Sequence, residues 1–274
     1  MKMIEIQQYK TAIDSFITNI IHALQESDDI HETLYESMKY VLESQSKRIR
    51  SSILMFVAIK LGCTYENALV AAAALELIHN YTIVHDDLPS MDNEKYRRGR
   101  LTCHEKFNEG IAVLTGNALL TLAYQVLTDG FKNEPEMFLQ IIQVLLSSSG
   151  YCGVLSGQAQ DILFKQNESV ITLNENNVMA VLDMYYLKTG KLFEAAFLIP
   201  AILNHCTTLQ QQLFAECGSV FGVLYQIADD IEDNEVVGDI VNEVKQSLIH
   251  RFDECINLLG NSEFSSLKDL ANKL

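Results

Sequence analysis

The sequence predicts an all-α fold, because its apolar residues recur at helical spacing and few residues interrupt that pattern. Strict two-residue alternation, which would indicate strands, is hard to find along the chain. The 274 residues include only 3 prolines and 13 glycines, so long helices joined by short polar loops are expected. We therefore expect one domain over residues 1–274, larger than a four-helix bundle.

The stretch from Thr64 to Leu88 predicts a central helix. Thr64 is a suitable N-cap, and Glu66 lies in the first turn. A run of four alanines, residues 71–74, would let a neighbouring helix approach closely. Pro89 marks the end of the helix. Two further long helices are predicted around "VLTGNALLTLAYQVL" and "SVFGVLYQIADDIEDN".

Charge and composition argue against several kinds of partner. A formal net charge of −16 disfavours non-specific binding to nucleic acids or to anionic membranes. Apolar runs fall short of the roughly 18 residues that a membrane span needs, so no membrane span is expected. The first residues lack the apolar segment of a signal peptide. The 6 scattered cysteines form no CxxC pair. These features predict reduced thiols and a cytoplasmic location.

Two aspartate clusters of the same kind follow apolar helical stretches. Asp229 and Asp233 are one helical turn apart and so share a face, while Pro89 lets the chain turn back so that Asp92 approaches Asp86. Oxygen ligands suit Mg²⁺, which usually bridges carboxylates to substrate phosphates. A solvated acidic helix end would explain one cluster alone, but two favour a metal site. The clusters are Asp86, Asp87 and Asp92 in "DDLPSMD", and Asp229, Asp230 and Asp233 in "DDIED".

Basic residues are few but grouped, which favours a small anionic ligand. A metal on one side and guanidinium or ammonium groups on the other would hold a diphosphate. A solvated helix face remains the alternative for "KRIR" alone. The groups are Lys47, Arg48 and Arg50 in "KRIR", Arg97, Arg98 and Arg100 in "RRGR", and Lys188 and Lys191 in "KTGK".

Several motifs in a fixed order resemble the trans-isoprenyl diphosphate synthases, specifically the short-chain farnesyl type. They are "HDDLPSMDNEKYRRGRLTCHEKFNEG", "SGQAQDI", "LKTGKLFEAA" and "GVLYQIADDIED", and the resemblance covers about residues 35 to 240. It implies roughly ten or more mostly antiparallel helices around a central cavity. It also implies a homodimer that acts on small-molecule diphosphate substrates.

The resemblance implies a role for each matching residue. Asp86 and Asp92 would bind Mg²⁺ on an allylic diphosphate with Asp87 in support, and Asp229 would bind a third Mg²⁺ with Asp230 and Asp233 beside it. Arg97 and Lys188 would contact the allylic diphosphate. The isopentenyl diphosphate would be held by Lys47, Arg50, His79 and Arg98. Thr189 and Gln226 would line the reacting carbons.

The activity implied is condensation of an allylic diphosphate with isopentenyl diphosphate, through metal-assisted ionisation to an allylic cation. Thr82 lies one turn below Asp86, with Tyr81 adjacent. One isoprene unit spans on the order of one helical pitch, about 5 Å, so a bulky floor here would stop chain growth early. We expect farnesyl diphosphate, with ten- and twenty-carbon products left open.

The chain departs from the family pattern at three places. Gln45, Ser46 and Ser51 stand where the family has two glycines and a proline around "KRIR", and Asn117 replaces an aspartate in "GNAL". The family also carries a loop with a lysine after the second aspartate cluster, and "DDIEDNEVVGDIVNEVKQSL" lacks it. Either that loop is absent, or the sequence omits a segment near residues 234–237.

Two other functions compete with an active prenyltransferase. A non-catalytic subunit of a heteromeric synthase would explain the altered glycines and the missing loop, although such a subunit need not keep every metal aspartate. A class I terpene cyclase would share the fold and the first cluster. That class has a second metal motif of Asn or Asp, then Ser or Thr, then Glu, and "DDIED" does not match it.

Overall fold

The computed structural model describes residues 8–25, 29–44, 46–167, 170–260 and 262–274, and within them the chain is all-α as predicted. Gln45, one of the departures from the family pattern, lies outside the described residues. The helices are α1 (Lys10–Gln25), α2 (Glu32–Leu42), α3 (Ile49–Leu61), α4 (Tyr65–Asp86), α5 (Cys103–Lys106), α6 (Glu109–Gly130), α7 (Pro135–Ser149), α8 (Val154–Asn167), α9 (Val178–Tyr185), α10 (Lys191–Leu203), α11 (Thr208–Glu232), α12 (Val241–Leu258) and α13 (Ser265–Ala271).

Shorter elements join these helices. A π-helical turn, Tyr186–Gly190, connects α9 to α10, and a 3₁₀ turn, Ser262–Phe264, precedes α13. Four two-residue strands form two pairs. One pair is antiparallel, between β1 (Tyr96–Arg97) and β2 (Arg100–Leu101), and the other is parallel, between β3 (Ile171–Thr172) and β4 (Val236–Val237).

Helix α4 is the central helix that the sequence predicts. The Thr64 side chain caps its start by accepting a hydrogen bond from the backbone N–H of Asn67 at 3.4 Å, and the helix ends at Asp86, just before Pro89. Alanines 71–74 are fully buried. Their small side chains suit the close packing of α4 against α3 and α6.

The hydrophobic core joins the helices along most of the chain. Buried apolar side chains from Tyr9 to Ala271 form one cluster. Between α10 and α11, the Phe221 ring packs on Phe193 edge to face at 5.2 Å and on Phe197 in a tilted arrangement at 6.2 Å. All six cysteines are free thiols, as predicted.

The β1–β2 hairpin was not predicted, because two-residue strands show no measurable periodicity. Its turn consists of Arg98 and Gly99, which both have positive φ angles, 53° and 75°. Two successive residues of this kind form the tight turn whose twist matches a hairpin. The hairpin therefore fixes the direction of the arginine group that follows the first aspartate cluster.

Three stretches are long and apolar enough to cross a membrane by length and composition: Tyr65–Asp86, Glu109–Gly130 and Pro135–Lys165. This differs from the expectation that no stretch would be, because the few polar residues in these helices are outweighed by their neighbours. Of the most apolar window in each, 72%, 44% and 33% is buried inside the protein. The absence of a membrane span therefore stays a prediction.

Candidate active site

A cavity of about 730 Å³ is lined by residues at the ends of α4 and α11. It collects nearly all of the residues that the sequence singles out. Of the predicted site residues, Asp87 and Tyr81 do not line it, and neither do Arg100 and Lys191 of the basic groups. The predicted residues that line it are Asp86, Asp92, Asp229, Asp230, Asp233, Lys47, Arg50, His79, Arg97, Arg98, Lys188, Thr82, Thr189 and Gln226.

The first aspartate cluster is shaped by the turn that ends α4. The backbone N–H of Asp92 donates to the carbonyl oxygen of Asp86 at 2.9 Å, so the chain does turn back after Pro89. Burial raises the pKa of Asp86 to about 7; the Lys188 ammonium opposes this rise, and the Asp92 carboxylate adds to it. This wall of the cavity therefore favours a bound positive charge.

Asp87 faces away from the cavity and supports it from behind. The side chain is 4% exposed, and one of its carboxylate oxygens accepts a hydrogen bond from Nε of Arg97 at 2.6 Å. Burial raises its pKa, although Arg97 opposes the rise. Asp87 thus holds Arg97 at the edge of the cavity, and its direct role toward a metal stays a prediction.

The second cluster lies at the end of α11. Asp229 and Asp233 are exposed to the cavity one turn apart, as their spacing predicts. Asp230 turns inward and is 7% exposed. One of its carboxylate oxygens accepts a hydrogen bond from the Tyr185 hydroxyl. Two carboxylates of the cluster are therefore open to a ligand, and the third is held by the protein.

The π-helical turn between α9 and α10 presents Lys188 and Thr189 to the cavity. Such turns are common at functional sites. A Cβ atom at Gly157 would lie 2.2 Å from the backbone nitrogen of Lys188, so only glycine lets α8 pack this closely. Nζ of Lys188 donates to Asp161 at 2.5 Å. The Thr189 hydroxyl donates to Oε1 of Gln226 at 2.5 Å.

A second basic group lies around Arg50 and His79. Nη1 of Arg50 is 3.2 Å from Nε2 of His79, and its guanidinium lies 4.4 Å from the centre of the Phe193 ring. Burial, with the Arg50 charge next, holds the pKa of His79 well below its usual value. The His79 ring is therefore neutral and accepts a hydrogen bond from Arg50. Lys47 and Arg98 line the same cavity.

Ser46 and Ser51, which stand where the family has a glycine and a proline, make hydrogen bonds to the two members of a buried ion pair. Nη1 of Arg48 donates to Glu76 at 2.9 Å, and both side chains are almost wholly buried. The Ser51 hydroxyl donates to the other Glu76 oxygen at 2.6 Å. The Ser46 hydroxyl accepts from the backbone N–H of Arg48 at 3.2 Å. The two serines thus stabilise the segment from which Lys47 and Arg50 reach the cavity.

Thr82 lines the cavity, whereas Tyr81 packs behind it. The Tyr81 hydroxyl donates to the carbonyl oxygen of Ser149, at the end of α7, at 3.0 Å. Burial raises the pKa of Tyr81 to about 12, so the hydroxyl stays protonated. The hydroxyl end of the ring is fixed by this hydrogen bond, and the action of Tyr81 as a floor for the product stays a prediction.

The sequence is similar to those of known proteins of one family. The family model described as polyprenyl synthetase matches residues 31–243. A farnesyl diphosphate synthase of Micrococcus luteus is 35% identical over 231 residues, which cover 83% of this chain and 76% of that protein. The chain belongs to the polyprenyl synthetase family. This confirms the resemblance found in the motifs.

Two further comparisons extend this result. This polyprenyl synthetase is 36% identical over 201 residues to a geranylgeranyl diphosphate synthase of Cyanophora paradoxa, with 73% of this chain and 65% of that protein covered. The crystal structure of an FPP/GFPP synthase from Zymomonas mobilis superposes with a TM-score of 0.84 at 26% identity and covers 100% of this chain and 99% of its own. The predicted all-α isoprenoid synthase fold is confirmed.

Some residues of the site were not found from the sequence. Lys165, Tyr225 and Glu235 also line the cavity of this polyprenyl synthetase. The only available signal was that Lys165 lies four residues, or one helical turn, after Asp161 of the "SGQAQDI" motif. Between Asp233 and Val236, where the family has its loop, the chain makes a tight turn closed by a 2.8 Å hydrogen bond from the N–H of Glu235 to the Asp230 carbonyl.

The carboxylates of the cavity suit magnesium. Among the described residues, no three His, Cys, Asp or Glu side chains are close enough together to form a complete metal site. Mg²⁺ usually takes only one or two carboxylates and completes its shell with phosphate and water. Asp86 with Asp92, and Asp229 with Asp233, offer such incomplete sets on the cavity wall. Burial raises the pKa of Asp86 and the Asp92 carboxylate adds to the rise, and a bound cation would offset the repulsion between these two groups.

Proposed function

We propose that this polyprenyl synthetase condenses an allylic diphosphate, dimethylallyl or geranyl, with isopentenyl diphosphate head to tail, and that its main product is farnesyl diphosphate. The observation that carries this proposal is that residues of both aspartate clusters and of all three basic groups line one cavity. The relatives named farnesyl diphosphate synthase support the same reaction.

The reaction needs ionisation, attack and loss of a proton. The allylic C–O bond breaks, and its electron pair leaves with the diphosphate. The double bond of isopentenyl diphosphate supplies the electron pair of the new C–C bond. The resulting cation then loses a proton to the released diphosphate. The protein supplies no covalent nucleophile and contributes positioning and electrostatic stabilisation.

We assign the allylic side of the cavity to Lys188, Arg97 and the first aspartate cluster. Lys188 and Arg97 would bind the negative charge that develops on the departing diphosphate. The Thr189 and Gln226 oxygens, which share a 2.5 Å hydrogen bond, would face the positive charge on the reacting carbons. Asp87 would act through Arg97, whose Nε it holds at 2.6 Å.

We assign the isopentenyl side to Lys47, Arg50, His79 and Arg98. Arg50 is held over Phe193 and against a neutral His79, so its direction is fixed before the ligand arrives. A fixed guanidinium binds a diphosphate with little loss of side-chain freedom. This side would orient the isopentenyl double bond toward the allylic carbon.

We also propose that the two aspartate clusters bind magnesium ions. Asp86 and Asp92 would hold Mg²⁺ on the allylic diphosphate and Asp229 a third ion, with Asp230 and Asp233 beside it, and the bound metal would supply Lewis-acid stabilisation of the leaving group. We also propose a homodimer in the cytoplasm, with no nucleic-acid partner and no membrane span.

Product analysis tests the proposed function. Purified protein would be incubated with Mg²⁺, isopentenyl diphosphate and either dimethylallyl or geranyl diphosphate, and the products sized by chain length. A fifteen-carbon product from either primer is the expected result. No product from either primer, in protein shown to be folded, would refute the enzyme proposal and favour a non-catalytic subunit.

Diphosphate release distinguishes the remaining alternative. A condensing enzyme releases diphosphate efficiently only when both substrates are present. A class I terpene cyclase releases it from the allylic substrate alone. Release that is independent of isopentenyl diphosphate would therefore contradict the proposal.

A further inference from the structure

Lys165 places an additional positive charge at the cavity beside the first aspartate cluster. It lies in the last turn of α8, and its side chain is 40% exposed. Nζ is 3.4 Å from an oxygen of Asp92 and 3.4 Å from an oxygen of Asp161. Nζ of Lys188 binds the same Asp161 oxygen from the other side at 2.5 Å. Lys165 and Lys188 are thus neighbours across one carboxylate.

Acidic side chains surround the Lys165 ammonium group. The Asp161 and Asp92 carboxylates each lie 3.4 Å from Nζ, and Glu235 lines the same cavity. Glu235 follows the second aspartate cluster, whereas Asp92 belongs to the first. Lys165 and residues of both aspartate clusters therefore line one cavity.

The two ion pairs of Lys165 are long, so its ammonium group can exchange them for contacts with a bound ligand. Both of its ion pairs, at 3.4 Å, exceed the usual hydrogen-bond length of about 2.7–3.2 Å. A partly exposed ion pair of this kind contributes only about 0–1 kcal/mol. The ammonium group has three N–H donors, so a diphosphate oxygen within reach would be a stronger partner than either carboxylate.

The position of Lys165 relates it to the allylic side. It shares Asp161 with Lys188 and contacts Asp92, whereas Arg50 and His79 form a separate group. The chain has no lysine or arginine between Asp233 and Lys245. That segment instead enters β4, which pairs with β3 shortly after the end of α8. Lys165, near the end of α8, thus places an ammonium group close to the segment after Asp233, which has no basic residue before Lys245.

We propose that Lys165 binds the diphosphate of the allylic substrate and takes the place of the lysine that the family carries after its second aspartate cluster. This inference rests on the proposed function for the identity of the substrate. The role of Lys165 is to bind and position the leaving group beside Lys188.

Steady-state kinetics test whether Lys165 acts on the allylic or on the isopentenyl side of the cavity. We expect Lys165→Ala to raise KM for geranyl diphosphate by about tenfold, as for loss of one charge-assisted hydrogen bond. KM for isopentenyl diphosphate should change by less than about twofold. Lys165→Arg should restore most of the affinity, because it keeps the charge. Lys132→Ala, at an exposed lysine after α6, is the matched control and should leave both constants unchanged.

A binding measurement separates this inference from the proposed function. Calorimetric titration with inorganic diphosphate, in the presence of Mg²⁺, reads the contact without turnover. Weaker binding to Lys165→Ala than to Lys132→Ala supports the inference even if the wild-type protein makes no product. Unchanged diphosphate binding overturns it, as does a change in KM for isopentenyl diphosphate alone. A shift only in melting temperature or in Mg²⁺ requirement would show a structural role and would also overturn it.

Discussion

At the scale of single residues, the cavity contains titratable side chains whose pKa values the fold shifts away from their usual range. Asp86 has a raised pKa because it is buried near Asp92, and His79 has a lowered pKa because it is buried near Arg50. Clusters of perturbed groups in a cleft are typical of functional sites. Burial thus disfavours the charge of Asp86 and holds His79 in its neutral form.

Replacement of Asp86 tests the metal assignment. Asp86→Asn keeps the size of the side chain but removes its charge, so we expect kcat to fall by about a hundredfold to a thousandfold, as for other groups that stabilise charge in a transition state. Steady-state assays over a range of Mg²⁺ concentrations measure this. Asp183→Asn, at an exposed aspartate on α9, is the matched control and should keep the wild-type rate. Near wild-type activity in Asp86→Asn would contradict the assignment.

His79 predicts how stability changes with pH. Its folded-state pKa lies well below the usual 6.5, so the unfolded chain takes up this proton first as the pH falls. The stability that comes from keeping His79 neutral is present above about pH 6.5. It is lost as the pH falls below that value, by at most about 1.4 kcal/mol per pH unit. His79→Gln cannot titrate and should lose this part of the dependence. Urea denaturation at about pH 7.5 and about pH 5.5 measures it; equal pH dependence in both proteins would argue against a neutral His79.

At the scale of elements, the β1–β2 hairpin directs Arg97 and Arg98. Gly99 has a φ angle of 75°, which alanine tolerates poorly, although no atom lies within 4 Å of an added Cβ. We expect Gly99→Ala to destabilise the protein by about 1 kcal/mol and to raise KM for both substrates. Gly62→Ala, at φ 87° on the C-cap of α3, carries the same strain far from the cavity. It should lower stability alone, so equal kinetic effects of the two changes would contradict this role for the hairpin.

The contact between α4 and α7 predicts product length. Tyr81 lies behind the cavity and is fixed by its hydrogen bond to Ser149. Tyr81→Ala should open space one turn below the metal site, enough for one more isoprene unit of about 5 Å. We expect products of twenty carbons or more, measured by chromatography of the released alcohols. Tyr81→Phe keeps the ring and should keep the fifteen-carbon product. An unchanged product from Tyr81→Ala would show that the floor lies elsewhere.

Local signals explain why some elements were predictable. Thr64 and Pro89 mark the two ends of α4, because capping and the lack of a proline N–H act within a few residues. The return of Asp92 to Asp86 follows from the same proline. The sequence predicted most of the charged residues of the cavity wall, but not Glu94, Lys165 or Glu235, and not the apolar residues between them.

Other features depend on contacts that no local pattern contains. The π-helical turn at Lys188 needs the close approach of α8 at Gly157. The β3–β4 pair joins segments far apart in sequence through two residues each. The position of Lys165 depends on both, so only the folded chain could bring it to Asp92. In the sequence, the serines around Arg48 are only departures from the family pattern. In the structure, they form hydrogen bonds with the members of the Arg48–Glu76 ion pair.

At the scale of the whole molecule, we propose that residues 1–274 form a single domain that pairs with a second copy. The faces of α6 and α7 expose large apolar side chains. Leu114 is 52% exposed, and Leu139 and Leu146, seven residues apart on one face of α7, are 55% and 50% exposed. Apolar surface of this kind is typical of a protein interface.

Light scattering after size exclusion tests the dimer. We expect a mass of about twice the 30.9 kDa of one chain, and a shift toward the monomer in Leu146→Glu because it would bury a charge in the interface. Leu209→Glu, at a residue 76% exposed in the first turn of α11, is the control and should leave the mass unchanged. A wild-type mass of one chain would contradict the proposed dimer.

The β3–β4 pair has a consequence for the order in which the molecule assembles. Its hydrogen bonds, from the N–H of Ile171 to Glu235 at 2.8 Å and from the N–H of Leu173 to Val237 at 2.7 Å, close a long stretch of chain. Contacts between distant segments carry a loop-closure cost that must be met before they stabilise anything. So short a pair therefore forms late in folding and opens early on heating. Since β4 closely follows Asp233 in the sequence, we expect the second aspartate cluster to be among the last parts of the cavity to order during folding and among the first to loosen on heating.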